Sequence, residues 1–552
     1  MSSGFNNKQY ILKLFGLGFL LGGLSILIGH FVNDEPMYRQ IARHLLDGKI
    51  MYKHVVDNKP PLIYYTYALF FWIFHILKSG LSYHFIVKII SIIAHVFTPY
   101  LVYVISRELF NKRTAKIAGL ISVITLFSGY YKDFLCANTE TYMNVFALTG
   151  LLFFVKNRFS FKWYNLFFSG IFLSIAFLYR LQVGVYLILF FVIIVFYNKR
   201  KCFWKSIARL SYIGIGFLIP ISITVLYFYQ NNGLFDLYYW IFKWNSIYIK
   251  IGMQGNLILR FIKKFSVLLA GQYSHIILGV CAIVLIFKTS QGRISFKNLK
   301  IFKSRKHAFL IYFFILALIT YFVGARFYGH YFVQTLPPLS ILAGYYLSIY
   351  LQKRNIRSIN TFRKYLKENG SKQKTKLITY LIVFILPVFV FFSLHFYLGV
   401  KRQIKYIFRK KITSNNSKKK ITVRKYLNKQ FPGVNPVFVW TEDVYIYRRL
   451  QRKPATRFLF LNYQMGRIWG TKHKSGTPEM NRKVELKKSW EMLFDDFNKY
   501  KPKLFIAANK KRTKFIIEKY PRLNEYLKNN FEFVITVQNY EVYKRKSLIK
   551  TK

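Results

Sequence analysis

Long apolar runs separated by short polar stretches organise most of the chain. Clear runs fall near 10–30, 83–105, 116–131, 139–155, 164–179, 182–197, 210–229, 265–287, 308–324, 331–351 and 377–398. Runs of that length with few charges are what a helix needs to cross a bilayer, so the pattern predicts eleven transmembrane helices. A further run, Pro60–Leu77 (PPLIYYTYALFFWIFHIL), is shorter, opens with two prolines and is rich in Tyr and Trp. Those features suit a helix lying in the interface. After residue 398 the pattern changes. Residues 399–434 are basic and polar and read as a tether. In 435–552, PVFVW, RFLFLNY, KLFIAAN, FEFVITVQ and EVYKRK read as short strands, while MNRKVELKKSWEMLFDDFNKY and FIIEKYPRLNEYLKNN read as helices. The expected architecture is a polytopic α-helical membrane domain over 1–398 followed by a small α/β domain over 435–552.

Composition agrees. The 552 residues are 53% hydrophobic and 20% aromatic, above the apolar share of a soluble domain. Net charge is +64, from 84 Lys and Arg against 20 Asp and Glu. In a soluble protein this balance would point to nucleic acid, but here the basic residues cluster between apolar runs, where they set membrane orientation. Anionic lipid headgroups are the partner they imply, and nucleic acid is not. Three widely spaced cysteines, Cys136, Cys202 and Cys281, exclude a disulfide framework and a Cys-based zinc site. The first apolar run lacks a small-residue cleavage site and reads as a retained span.

Charge also decides the doubtful segment. If Pro60–Leu77 does not cross and the N-terminus is cytoplasmic, the inside loops hold 28 Lys/Arg in 76 residues and the outside segments 14 in 106. Counting it as a span would invert every later loop. The expectation is eleven spans with the N-terminus inside and the C-terminal domain outside. Under that topology seven of the nine acidic residues in 1–398 fall on the outer face: Asp34, Glu35, Asp47, Asp57, Asp133, Glu140 and Asp236. A chain so poor in carboxylates that concentrates them on one face is expected to use that face for chemistry.

Five stretches carry the candidate chemistry. Asn33-Asp34-Glu35-Pro36 places two acids at the start of an interfacial helix, as a cap or as a working pair in equal measure. Asp57-Asn58-Lys59-Pro60-Pro61 joins an acid and a base to the aromatic segment. Arg180, in the tight turn after Tyr179, has little room to avoid the bilayer and calls for a partner or a ligand. Arg326-Phe327-Tyr328-Gly329-His330 stands at the outer mouth of the tenth run, where His330 alone reads as a structural hydrogen-bonding residue. Asp133 and Asn138-Thr139-Glu140 complete the set. Cations hold phosphate oxygens, and a carboxylate takes a proton from an attacking hydroxyl.

As an ordered set, NDEPMY, DNKPPL, RELFNKR, AFLYRLQ and RFYGHYFVQTLPP resemble the GT-C glycosyltransferases over roughly residues 8–400. The branch they fit contains the protein O-mannosyltransferases, the aminoarabinose transferase of lipid A and the bacterial dolichyl-phosphate-mannose-protein mannosyltransferase-like family. The resemblance implies an inverting transfer of a sugar from a polyprenyl-phosphate donor to an envelope glycan, lipid or protein at the outer face of a bacterial inner membrane. It also implies Asp34 as general base and Glu35 as an aid in orienting acceptor or base. Lys59, Arg180 and Arg326 become the cations that grip the lipid phosphate. Asp57, Glu140, Tyr328 and His330 become further substrate contacts. Arg180 stands where relatives commonly carry Lys, and a second acid stays open among Asp57, Asp133 and Glu140. No cofactor is certain, and dependence on a divalent metal stays open with it. The competing class is a transporter or flippase for a lipid-linked glycan, which would show related halves and acids near mid-span; neither is visible.

Overall fold

The computed structural model describes residues 2–28, 34–128, 134–197, 203–253, 255–289, 304–354, 356, 422–441, 446–459, 461–465, 487–508 and 516–548, with a few isolated positions between 375 and 404. Ten of the eleven apolar runs are helical over their described parts. The run at 377–398 lies essentially outside the described residues, as do Asp133, Glu368 and Cys202. Four described helices are long and apolar enough by themselves to cross a membrane: Tyr83–Leu109, Phe203–Gln230, Gln272–Thr289 and Arg305–Phe322. Phe203–Gln230 turns Ile215, Leu218, Ile223 and Leu226 outward, as a lipid-facing helix does. The described structure is mostly helical, with four helices long and apolar enough to cross a membrane and an α/β unit at its C-terminal end.

Helix α1 (Ser2–Ile28) is followed by α2 (Asp34–Leu46), α3 (Leu62–Ile76) and α4 (Tyr83–Leu109). α2 begins at the acid pair and ends with Arg43 and His44, so charges of the favourable sign stand at both ends of its dipole. α3 is the doubtful segment. Fifteen residues at about 1.5 Å each make roughly 22 Å, short of a hydrocarbon core of about 30 Å. One face packs Tyr64 and Tyr67 edge-on against Tyr38 of α2, with centroids 5.5 and 5.9 Å apart, and stacks Phe71 on Tyr83 at 4.3 Å. The other face exposes Leu69, Trp72 and Ile76. α4 starts at Ser82, whose hydroxyl accepts from the Phe85 amide at 3.3 Å.

Helices Trp163–Tyr179 and Phe203–Gln230 meet through two glycines. A Cβ on Gly170 would lie 2.1 Å from the Ile213 carbonyl oxygen, and one on Gly216 would lie 2.1 Å from that of Phe167. Without a hydrophobic drive between helices in lipid, such close backbone contact supplies the packing.

In the C-terminal unit, β1 (Val437–Trp440), β2 (Leu504–Ala508), β3 (Phe531–Val537) and β4 (Tyr540–Arg545) form one sheet in the order β1-β2-β4-β3. β1 and β2 are parallel, and the remaining pairs are antiparallel. Trp440 is fully buried against Trp490 and Tyr520, which makes it core. Helix Val423–Gln430, inside the stretch read as a tether, packs here, with its Leu427 carbonyl accepting from Arg452 at 3.2 Å. One expected strand, RFLFLNY, does not form over its described residues. RFLFLNY runs through bends into a short helix, Asn462–Met465. Its apolar residues find their burial against Trp240 and Trp244 of the membrane domain instead of in the sheet.

Candidate active site

The first wall of the site is the loop between α2 and α3. Asp34 opens α2 partly exposed, and the Tyr38 hydroxyl one turn on donates to its Oδ2 at 3.5 Å. Asp57 is buried and accepts from the Asn58 amide at 2.7 Å, the Tyr64 hydroxyl at 2.7 Å and the Tyr463 hydroxyl at 3.0 Å. Burial pushes its carboxyl above the usual range, against the pull of Lys59 and these donors. The Lys59 carbonyl is held by the Tyr52 hydroxyl at 2.6 Å. Burial alone would depress the Lys59 ammonium, but Tyr331, Asp34 and Asp57 outweigh it and raise its proton affinity, so it stays charged through the neutral range.

Arg180 closes the opposite side. It is buried, forms an ion pair with Glu140 and lays its guanidinium carbon 3.9 Å above the Tyr331 ring. Its Nε has no hydrogen-bond partner among the described residues. The third cation, Arg326, is 1% exposed. Its Nη2 donates to the Tyr248 carbonyl at 3.1 Å and its guanidinium carbon lies 4.5 Å from the centre of the Tyr248 ring, while Nε and Nη1 have no hydrogen-bond partner among the described residues. Among the described residues no carboxylate pairs with it. Burying an ion in this state costs several kcal/mol, which a bound anion would offset. The backbone around it is unusual. Ala325 and Phe327, on either side, both have left-handed φ near +50°, and Gly324 is at +84°. Non-glycine residues in that region carry about 1–3 kcal/mol of strain each, and such strain gathers at functional sites.

Tyrosines join the two sides. Tyr331 lies within electrostatic reach of Lys59, Arg180 and Asp34. Tyr328 reaches Arg326, Asp34 and Lys59. The Tyr328 ring stacks on His330 at 5.4 Å, and His330 meets Tyr331 edge-on at 4.7 Å. Asp34, Asp57, Lys59, Glu140, Arg180, Arg326, Tyr328 and His330 thus belong to one connected cluster.

Glu35 stands apart beneath it. Fully buried, it accepts from the Ala137 amide at 2.9 Å and pairs with Lys88 of α4 at 3.4 Å, both through Oε1. It ties the start of α2 to α4 and to the segment before Glu140. Tyr38, Tyr331, Tyr248, Lys88 and Tyr463 escaped the sequence reading. Tyr331 lay inside a quoted motif, and Tyr38 sits one helical turn from Asp34. Tyr463, 406 positions from Asp57, carried no local signal. Among the described residues no group of three or more His, Cys, Asp or Glu is placed to hold a metal ion.

Residues 58–228 match a family model described as dolichyl-phosphate-mannose-protein mannosyltransferase. The structure is similar to ArnT from Cupriavidus metallidurans bound to undecaprenyl phosphate, with a TM-score of 0.54 and 11% identity over 97% of this chain and 98% of that one. The chain has the GT-C fold. Two structures from Archaeoglobus fulgidus share it. The apo oligosaccharyltransferase gives a TM-score of 0.53 at 12% identity, over 96% of this chain and 74% of that one. Oligosaccharyltransferase AglB in complex with an inhibitory peptide and a dolichol-phosphate gives 0.52 at 12%, over 98% and 75%. No curated protein sequence matches the chain. The GT-C resemblance read from the ordered motifs holds at the level of fold, and the family model covers the Lys59 and Arg180 stretches but begins after Asp34 and ends before Arg326.

Proposed function

We propose that this protein is an inverting glycosyltransferase that moves a sugar from a polyprenyl-phosphate donor to an envelope acceptor at the outer face of a bacterial inner membrane. The observation that carries the reading is Arg326: a buried guanidinium for which, among the described residues, two nitrogens have no hydrogen-bond partner and no carboxylate is paired, in one cluster with Lys59, Arg180 and a partly exposed Asp34. The GT-C fold and the lipid phosphates bound by ArnT and AglB support the same class of donor.

In this reading the donor phosphate lies among Lys59, Arg180 and Arg326. Asp34 takes the proton of the acceptor hydroxyl as its oxygen forms a bond to the sugar's anomeric carbon. The bond from that carbon to the phosphate oxygen breaks on the opposite face, and its electron pair leaves with the phosphate. Polyprenyl phosphate departs and configuration inverts. Negative charge grows on the phosphate through the transition state, so cations fixed in place stabilise that state more than the ground state. A positioned base typically contributes about 10²–10⁴-fold. Arg180 divides its charge between Glu140 and the donor, and Tyr328 with His330 forms an aromatic wall for the sugar. Glu35 fixes the direction of α2, and with it that of Asp34.

The acceptor is a glycan, a lipid or a protein hydroxyl. The test is turnover by purified protein in lipid, supplied with a polyprenyl-phosphate sugar and fractionated envelope acceptor. Acceptor-dependent release of polyprenyl phosphate supports the reading; passage of intact donor across the bilayer without its cleavage would replace it by a flippase.

A further inference from the structure

We propose that Tyr463, carried by the C-terminal unit, is a positioning residue for the donor site: it holds Asp57 and thereby leaves the Lys59 ammonium free to meet the donor phosphate. The proposal rests on the reading of Lys59 as a phosphate-binding cation.

The loop before α3 is held at each position. The Val56 amide donates to the Arg457 carbonyl at 3.1 Å. Asp57 receives the Tyr463 hydroxyl on Oδ1 and the Tyr64 hydroxyl on Oδ2. Asn58 exchanges hydrogen bonds with Asn245 at 3.0 and 2.8 Å. Lys59 is fixed at its carbonyl by Tyr52. Two consecutive residues, 56 and 57, are therefore anchored to a unit that begins more than 360 residues later in the chain.

Both anchors are themselves braced. Arg457 forms a forked pair with Asp496, with contacts of 2.9 to 3.2 Å. The Tyr463 ring is wedged edge-on between Trp240 at 4.9 Å and Trp244 at 5.1 Å, and its carbonyl accepts from the Ser489 hydroxyl at 3.1 Å. A tyrosine held in this way has its hydroxyl preset on Asp57.

The chemical consequence concerns competition. Asp57 is within electrostatic reach of Lys59, and a carboxylate with a vacant lone pair attracts an ammonium as strongly as a phosphate does. The Asn58 amide and the Tyr463 phenol together fill both lone pairs of Oδ1, and Tyr64 holds Oδ2, so it is the phenol that denies the last place on Oδ1 to the Lys59 ammonium. Loss of that hydroxyl turns Asp57 into a rival of the donor phosphate, and the C-terminal unit thus sets donor affinity from outside the membrane domain.

The experiment measures binding of undecaprenyl phosphate, and of neutral undecaprenol as control, to the full-length protein in nanodiscs. Tyr463→Phe is expected to weaken the phosphate about tenfold, the scale of one hydrogen bond to a charged group, with undecaprenol binding and melting temperature unchanged. In a Lys59→Gln background the same substitution is expected to add nothing. Asp57→Asn, whose amide keeps one acceptor oxygen but has no charge to attract an ammonium, is expected to restore binding to Tyr463→Phe. Equal affinity in Tyr463→Phe, equal losses for both lipids, or effects additive with Lys59→Gln each overturn the proposal. Should Tyr463→Phe not fold, Asp57→Asn alone must bind undecaprenyl phosphate at least as well as the wild type, and a loss there overturns it. If Lys59→Gln by itself leaves phosphate binding intact, the reading of Lys59 falls first; if Lys59→Gln weakens it and Tyr463→Phe does not, only the role of Tyr463 falls.

Discussion

Arg180 pairs with Glu140 while its guanidinium carbon sits over the Tyr331 ring, 3.9 Å from the centroid. The two charges neutralise each other in a buried place, so they are to be tested together. Arg180→Gln alone leaves Glu140 without a counter-ion and is expected to lower stability by about 3–5 kcal/mol. Arg180→Gln with Glu140→Gln removes both charges and is expected to recover most of that loss while donor affinity stays reduced. Thermal unfolding and donor titration of the single and double variants separate the two effects; a single variant as stable as the wild type would show the pair to be idle.

The Glu35–Lys88 pair has a different consequence because it touches no proposed substrate position. Glu35→Gln keeps the hydrogen bond from Ala137 and takes the paired carboxylate from the Lys88 ammonium, so the melting temperature is expected to fall. Adding Lys88→Gln should return most of it. Turnover by the surviving folded fraction of Glu35→Gln should drop far less than in any Asp34 variant. Per-molecule activity as low as that of Asp34→Asn would move Glu35 from anchoring α2 into the chemistry.

Backbone strain beside Arg326 makes a third case. Ala325 occupies a left-handed conformation that glycine adopts without cost. Ala325→Gly is expected to stabilise the fold by about 1 kcal/mol while weakening donor binding, as the guanidinium loses its rigid support. Stability and affinity moving in the same direction would argue that the strain has no functional part.

Packing between Trp163–Tyr179 and Phe203–Gln230 depends on bare backbone. With a Cβ at Gly216 only 2.1 Å from the Phe167 carbonyl oxygen, Gly216→Ala must push the helices apart. The expected cost is about 1–3 kcal/mol, read as a lower melting temperature in detergent. An unchanged melting temperature would place the real contact elsewhere on these helices.

Much of the membrane domain was legible because lipid forces helices to be apolar on nearly every side, and that pattern survives without any knowledge of tertiary contacts. Length, prolines and loop charge make Pro60–Leu77 an interfacial candidate, and α3 is short and buried on one face. The cations and acids of the site were legible because charge near a membrane is expensive and therefore rare. The tyrosines were not. Among 43 of them, nothing local distinguishes Tyr331 or Tyr463 from an interfacial anchor. RFLFLNY misled for a related reason. A short apolar run bounded by polar residues satisfies a strand as well as a docking segment, and only the proximity of Trp240 and Trp244 decides which.

The central claim is that Asp34 takes the acceptor's proton beside a phosphate held by Lys59, Arg180 and Arg326. It is tested most directly by single-turnover release of polyprenyl phosphate from Asp34→Asn in lipid, with donor affinity measured on the same sample. Release slowed by about 10²-fold or more, with donor binding and melting temperature retained, is the predicted result. Wild-type release by that variant would contradict the account.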